Sequence, residues 1–159
     1  MEKVRAVKVH TLKSALEKLR KYCVYQERSQ QEVRDKFYDL GLHQKEVELG
    51  ISELIQEGFI NEERFAIAFS GGRFRIKKWG KIKIKSELKY RKISEYCIRK
   101  AISQIDDTEY IKTLTKIIED KEKTLKIKNK LQKNYKIANY AMSRGFEPDL
   151  IWDILRMND

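Results

Sequence analysis

The chain contains few of the residues that form turns, disulfides or membrane spans. Its 159 residues include seven Gly, one Pro and two Cys. This scarcity of Gly and Pro disfavours all-β folds, which use these residues in their turns. Cys23 and Cys97 alone cannot form a disulfide framework. No apolar run reaches the roughly 18 residues of a membrane helix. Residues 1–13 lack the apolar stretch of a secretory signal, so we expect a cytoplasmic protein.

What the chain has in excess is positive charge, and most of it lies in one segment. The formal net charge is +11, from 35 Lys and Arg against 24 Asp and Glu. Residues 73–92 hold ten Lys or Arg and one acid, Glu87, for a net charge of +9. Like charges this close together repel one another and destabilise a compact state. The segment therefore points to an anionic partner: nucleic acid, an acidic protein surface or an anionic membrane.

Hydrophobic spacing indicates helices along the chain. Apolar stripes at intervals of three and four residues recur, and two of them end at Gly41 and Gly58, as helices commonly do. Ser29 with Glu32 three residues later is a capping-box pattern, which predicts a helix start. Residues 81–85 alternate Lys and Ile as a strand would, but the internal repeat favours helix there.

The apolar positions repeat three times when the chain is aligned on Gly41, Lys92 and Gly145, at offsets of 51 and 53 residues. Positions eight and four before this anchor, and one, six and ten after it, are apolar in all three copies. The fifteen residues are Val33, Ile84, Ile137, Phe37, Leu88, Ala141, Leu42, Ile93, Phe146, Val47, Ile98, Ile151, Ile51, Ile102 and Leu155.

The repeat predicts an all-α fold of three tandem three-helix units that resemble helix-turn-helix modules. Each unit alone would expose an apolar face, so we expect the units to stack into an elongated, curved array. The predicted boundaries are a basic N-terminal arm at 1–13 and units at 14–58, 59–106 and 107–157.

Several stretches of the sequence resemble one protein family in their order and spacing. They are 28–33 leading to Leu40 and Gly41, 58–66, Trp79 and Gly80 with Ile84, Glu87 and Leu88, and 143–146 with Ile151 and Leu155. The chain resembles the RecX family, bacterial regulators of the RecA recombinase, over about residues 14–157. The resemblance implies nine helices in a crescent that binds RecA–DNA filaments, commonly along the filament groove. It also implies inhibition of ATP hydrolysis, strand exchange and co-protease action.

Three positions depart from the family pattern. Asn61 stands where the family often has Asp, although either residue can cap a helix. Ala141 stands where a larger apolar residue is usual. The run Ser70-Gly71-Gly72 lies near the end of the fourth helix, and we expect it to shorten that helix.

The basic segment supplies the candidate binding residues. On a helix that begins near Lys81, Lys85 and Lys89 follow on one stripe, and Lys92 extends it. A merely solvated face would mix both signs of charge, so we expect these cations to contact DNA phosphates or acidic patches on the recombinase. The full set is Arg73, Arg75, Lys77, Lys78, Trp79, Lys81, Lys83, Lys85, Lys89, Arg91 and Lys92.

Two further features each have two interpretations. Trp79 either stacks on a base or anchors a partner, or it caps the core between units. The run 121–136 holds seven Lys. We favour an amphipathic helix with a solvated face for this run, and the alternative is a second contacting face.

No arrangement of residues points to catalysis, a metal or a cofactor. His10 and His43 are isolated, and no set of Cys, His and carboxylates has metal-ligand spacing. Residues 70–73 lack the Gly-Lys-Ser/Thr ending of a phosphate loop. Cys23 and Cys97 lie in apolar stripes and are predicted core thiols.

We therefore expect a monomeric, non-enzymatic regulator that binds the RecA filament without a cofactor. It should bind single- or double-stranded DNA only weakly and without sequence specificity, and it should not bind membranes. The alternative is a stand-alone helix-turn-helix DNA-binding protein, such as a transcription regulator.

Overall fold

The computed structural model describes residues 10–158, which form nine α-helices and no strand. The helices are α1 (Leu12–Tyr25), α2 (Gln30–Asp39), α3 (Gln44–Gln56), α4 (Glu62–Arg75), α5 (Lys81–Tyr90), α6 (Glu95–Ser103), α7 (Asp107–Thr124), α8 (Lys130–Ser143) and α9 (Pro148–Met157). The prediction of an all-α fold is confirmed, and the alternating segment 81–85 is helical. None of the helices within 10–158 has the length and apolar character to cross a membrane.

The described chain divides into two compact units, with the boundary after Phe65. The division into three units that the repeat suggests stays a prediction. The basic arm at 1–13 lies mostly outside the described residues, which begin at His10.

The first unit is built from α1, α2 and α3 around an apolar core that includes Leu19, Phe37 and Leu54. Ser29 caps α2 by accepting a hydrogen bond from the backbone N–H of Glu32 at 3.1 Å, as the capping-box pattern predicts. Cys23 is buried in this core as predicted, and burial raises the pKa of its thiol to about 11. A thiol with so high a pKa is protonated and unreactive near neutral pH.

The aligned positions of the repeat are buried in all three copies, fifteen residues in total. The three anchor residues end α2, α5 and α8 with left-handed backbone angles: φ is 87° at Gly41, 61° at Lys92 and 97° at Gly145. In each copy, the N–H of the next residue donates to a carbonyl five residues earlier, as in Leu42 to Phe37 at 3.3 Å. The apolar residue after each anchor is thereby turned into the core.

The run Ser70-Gly71-Gly72 does not shorten the fourth helix, so that expectation is wrong. Helix α4 continues through the run to Arg75. A Cβ at Gly71 would lie 2.7 Å from a guanidinium nitrogen of Arg75. The helix therefore uses the missing side chain at Gly71 to accommodate Arg75, one turn later.

The Lys-rich run 121–136 is not one helix, so the interpretation that we favoured for it is wrong. Helix α7 ends at Thr124 and α8 begins at Lys130. Asn129 starts α8 by accepting a hydrogen bond from the N–H of Gln132 at 3.0 Å, which satisfies a donor in the first turn. The residues between the two helices are extended, with half-buried Leu125 and Ile127 alternating with exposed lysines.

Two glycines in the second unit should respond oppositely to alanine. Gly72 lies within α4 with no atom within 4 Å of an added Cβ, so Gly72→Ala should raise the unfolding free energy by about 0.5–1 kcal/mol. At Gly80, an added Cβ would lie 2.2 Å from the carbonyl carbon of Gly145. Gly80→Ala should therefore lower the unfolding free energy by about 1–3 kcal/mol. Urea unfolding followed by circular dichroism measures both changes, and equal stability of the two variants would contradict this packing.

Candidate nucleic-acid and partner interface

The basic segment runs from the last turn of α4 to the residue that follows α5. Arg73 and Arg75 lie on α4, and Arg91 and Lys92 form the turn after α5. The connection 76–80 holds Lys77, Lys78 and Trp79, and α5 holds Lys81, Lys83, Lys85 and Lys89. All eleven predicted site residues therefore belong to one helix-connection-helix segment.

The predicted lysine stripe is present on α5, but its two ends differ from the prediction. Successive helical residues turn by about 100°, so Lys81, Lys85 and Lys89 lie on one side, and Lys85 and Lys89 are exposed. Lys81 is instead occupied within the protein: its Nζ lies 3.4 Å from a carboxylate oxygen of Asp107 and 4.6 Å from the ring centre of Tyr110. Lys92 does not extend the stripe, because it lies beyond the end of α5 in a left-handed conformation.

A cation–aromatic cluster occupies the other side of α5. We define it as Phe69, Arg73, Trp79, Lys83 and Arg91. The Cζ of Arg73 lies 4.5 Å from the ring centre of Phe69 and 5.3 Å from that of Trp79. The Nζ of Lys83 lies 4.4 Å from the Trp79 ring centre, and the Cζ of Arg91 lies 4.9 Å from that of Phe69. Such contacts attract cations to the faces of aromatic rings, so three cations are held in place by two rings.

The cluster and the exposed lysines face different directions. Lys83 and Lys85 are about 200° apart around α5. Arg75 belongs to neither group: it is about 200° from Arg73 on α4, and it lines a cleft of about 210 Å³ that also holds Asp106 and Glu109. The site thus has two cationic faces on α5 instead of the single stripe that we predicted.

Phe69 is a member of the site that sequence reasoning missed, because the predicted set was drawn from the charged segment, which begins at Arg73. It is half-buried and carries two guanidinium groups on its ring. The signal was the spacing of Phe69 and Arg73, which stand four residues apart and therefore meet on one helix face. Trp79 is likewise half-buried, and its ring contacts the cationic groups of Arg73 and Lys83.

Two lysines of the segment have strained backbones. Within residues 10–158, the only non-glycine residues with positive φ are Lys78, at 57°, and Lys92, at 61°. The positions equivalent to Lys92 in the repeat are Gly41 and Gly145. A side chain in this conformation costs roughly 1–2 kcal/mol that glycine does not incur. Such a conformation persists where the surrounding structure fixes it, and here the hydrogen bonds that close the ends of α4 and α5 do so.

The start of α5 is held by the turn between α8 and α9. The N–H of Gly80 donates to the carbonyl of Arg144 at 2.8 Å, and that of Ile82 donates to the carbonyl of Gly145 at 3.0 Å. The Lys81 N–H donates to the hydroxyl of Tyr110 at 2.9 Å, and this hydroxyl donates in turn to Glu147. Burial, and then the hydrogen bond to Glu147, raise the pKa of Tyr110. The contacts of Lys81 and Ile82 satisfy the first two N–H groups of α5, which have no partner within the helix.

The chain is similar to known proteins over most of its length. A family model described as "RecX, second three-helix domain" matches residues 61–102. The regulatory protein RecX of Thermotoga petrophila is 28% identical over 139 residues, which cover 85% of this chain and 78% of that protein. The regulatory protein RecX of Clostridium perfringens strain 13 is 28% identical over 131 residues, or 81% of this chain and 61% of that protein. The chain is therefore similar to regulatory proteins of the RecX family.

Solved structures agree with this family fold. The crystal structure of RecX from Lactobacillus salivarius superposes with a TM-score of 0.82 at 22% identity, covering 92% of this chain and 95% of that one. The similarity at this identity concerns the fold. The chain spans less than two thirds of the Clostridium perfringens relative, and a match to RecX of Bacillus cereus B4264 covers 48% of that protein. The RecX-family resemblance predicted from the sequence is confirmed.

Replacing Lys92 by glycine should stabilise the chain. Glycine adopts a φ of 61° without steric cost, so Lys92→Gly should raise the unfolding free energy by about 1 kcal/mol in urea. Lys89→Gly is the matched control, since it makes the same replacement within helix α5 and should lower the unfolding free energy by about 1 kcal/mol. A loss of stability in Lys92→Gly would show that the lysine side chain itself stabilises this turn.

Proposed function

We propose that this chain is a non-enzymatic regulator that binds RecA–DNA filaments in the cytoplasm and inhibits their ATP hydrolysis, strand exchange and co-protease action. Similarity to regulatory proteins named RecX supports the regulatory role, and the basic surface around α5 supports a polyanionic partner. The surface requires no cofactor, because its cations interact with anions directly.

The observation that carries this proposal is where the net charge lies. Residues 1–65 hold 12 Lys and Arg against 12 Asp and Glu, and are neutral overall. Residues 66–159 hold 23 against 12, so they account for the whole net charge of +11. Together with the strained Lys78 and Lys92, this concentration supports a surface whose charge is neutralised by a partner.

The two cationic faces of α5 suit different kinds of contact with a polyanion. Exposed Lys85 and Lys89 can follow a phosphate backbone or an acidic protein surface as mobile point charges. Arg73, Lys83 and Arg91 are held by aromatic rings, so less side-chain entropy is lost when they bind. Contacts of this kind neutralise phosphates without reading base edges, which supports weak and sequence-independent binding to DNA alone.

A second candidate is a stand-alone helix-turn-helix DNA-binding protein. Helices α5 and α6 are joined by a short turn, and α6 exposes Tyr96 and Arg99 as a recognition helix would expose its reading residues. This candidate predicts tight binding to particular duplex sequences in the absence of RecA. Weak binding that does not depend on sequence would eliminate it.

Reversing two charges on the lysine stripe tests the first candidate. In a RecA ATPase assay on single-stranded DNA, the wild-type chain should inhibit hydrolysis. The double variant with Lys85→Glu and Lys89→Glu should need about 100-fold more protein for half inhibition. Each reversal replaces an attraction of roughly 0.7 kcal/mol by an equal repulsion, which is about tenfold in affinity.

The matched control carries Lys18→Glu and Lys21→Glu. These two exposed lysines lie on α1, so the control makes the same change in net charge outside the basic segment and outside the run 121–136. It should inhibit almost as well as the wild type. Equal loss in both double variants would show that only the overall charge matters, and no inhibition by the wild type would rule out the proposed function.

A further inference from the structure

Arg144 reaches the connection between α4 and α5 from a distant part of the sequence. Its guanidinium Nη2 donates to the carbonyl of Lys77 and, at 3.5 Å, to that of Lys78. Its Nε is buried without a hydrogen-bond partner. The backbone carbonyl of the same residue accepts the N–H of Gly80. One residue therefore contacts the connection 76–80 through both its side chain and its backbone.

These contacts lie at the strained part of the connection. Lys78 has a φ of 57°, and the two carbonyls that Arg144 binds belong to Lys78 and to the residue before it. The planar guanidinium of arginine can donate to two acceptors in a fixed geometry, which the ammonium group of a lysine cannot do. Arg144 thus stabilises the carbonyl arrangement that goes with the left-handed conformation of Lys78.

Helix α4 holds the N–H side of the connection, because the N–H groups of Lys78 and Trp79 donate to the carbonyls of Phe74 and Arg73, each at 3.1 Å. Arg144 adds the contact to its carbonyl side. The side chains of Lys77 and Lys78 are exposed, as is Ile76, at 79% of its surface. A segment that is mobile in the free protein must lose conformational entropy when it binds, and this cost lowers affinity. A segment that is already held in shape avoids most of that cost.

We propose that Arg144 is a positioning residue that holds the connection 76–80, so that Lys77 and Lys78 are presented to the polyanion in a fixed geometry. The inference rests on the proposed function for its partner, the RecA filament. It assigns to the turn after α8 a role in binding, although Arg144 is half-buried and its guanidinium is directed to the protein backbone.

Three variants separate positioning from charge. Arg144→Gln removes the charge and the two-acceptor contact, whereas Arg144→Lys keeps the charge and loses the fixed geometry. Arg156→Gln is the control: Arg156 is 72% exposed at its side chain, pairs only at 3.4 Å with Asp153, and lies in the same unit. Circular dichroism establishes conditions in which each variant is folded, and Arg144→Lys is the milder change should Arg144→Gln unfold.

The first readout is amide hydrogen exchange in the free protein. The N–H groups of Gly80 and Ile82 should exchange about five- to tenfold faster in both Arg144 variants, which corresponds to losing roughly one hydrogen bond. The amides of α2 should keep their wild-type rates. Unchanged exchange at Gly80 and Ile82 would overturn the proposal, because the connection would then be held without Arg144.

The second readout is half inhibition of the RecA ATPase on single-stranded DNA. Both Arg144 variants should need about five- to tenfold more protein than the wild type, and Arg156→Gln should match the wild type. Wild-type potency in Arg144→Lys with a loss in Arg144→Gln would overturn the proposal in favour of a simple charge effect. Absence of inhibition by the wild type would defeat the proposed function instead, while the exchange rates would still show whether Arg144 holds the connection.

Discussion

A left-handed residue at the end of the second helix in each repeat is the constraint on which this fold depends. At Gly41, Lys92 and Gly145 the backbone reverses, and the next residue enters the core. The turn at Gly145 does more than end α8. Its carbonyl accepts the N–H of Ile82 in the first turn of α5, and the carbonyl of Arg144 accepts the N–H of Gly80 just before that helix. A side chain at Gly145 would lie 2.3 Å from the Cβ of Lys83. The same turn that organises the third copy of the repeat therefore fixes the start of the most basic helix.

The basic segment is held by this turn and also contains two residues with strained backbones. A lysine occupies the turn position at which the other two copies have glycine, and a second lysine is left-handed nearby. Proteins commonly give up stability at binding sites, where the feature that costs stability is the one that the partner needs. The cations that the partner would neutralise repel one another in the free protein. Ring contacts from Phe69 and Trp79 offset part of this cost without removing the charges.

Much of the fold could be predicted because its determinants are local. Apolar spacing, the Ser29 cap and the threefold repeat depend on residues close in sequence, and they identified the helical class and the buried positions. Residues 81–85 alternate Lys and Ile as a strand would, but the repeat correctly favoured a helix there. An apolar spacing that recurs in three copies is stronger evidence than an alternation over five residues. The break at 125–129 was missed, because a single capping side chain, Asn129, decides it against a continuous amphipathic pattern.

The candidate site was less predictable because its geometry depends on contacts between distant residues. The sequence placed Lys81 among the exposed cations. In the structure its ammonium group pairs with Asp107, 26 residues later, and its backbone N–H donates to Tyr110, 29 residues later. The contact of Arg144 with the carbonyl of Lys77 spans 67 residues and leaves no local pattern. Charge density could be read from the sequence, but the division of that charge between two faces of α5 required the structure.

The salt dependence of binding to the RecA filament tests the central claim, that this chain presents a preformed cationic surface to a polyanion. The filaments should be assembled on single-stranded DNA with a non-hydrolysable ATP analogue. Salt then cannot change the measured affinity by changing the rate of ATP hydrolysis. The logarithm of the binding constant should fall linearly with the logarithm of salt concentration, with a slope of about −0.7 for each phosphate neutralised, or several in total. An affinity that stays constant as salt is raised would contradict the claim, because it would mean that the basic segment does not form the interface.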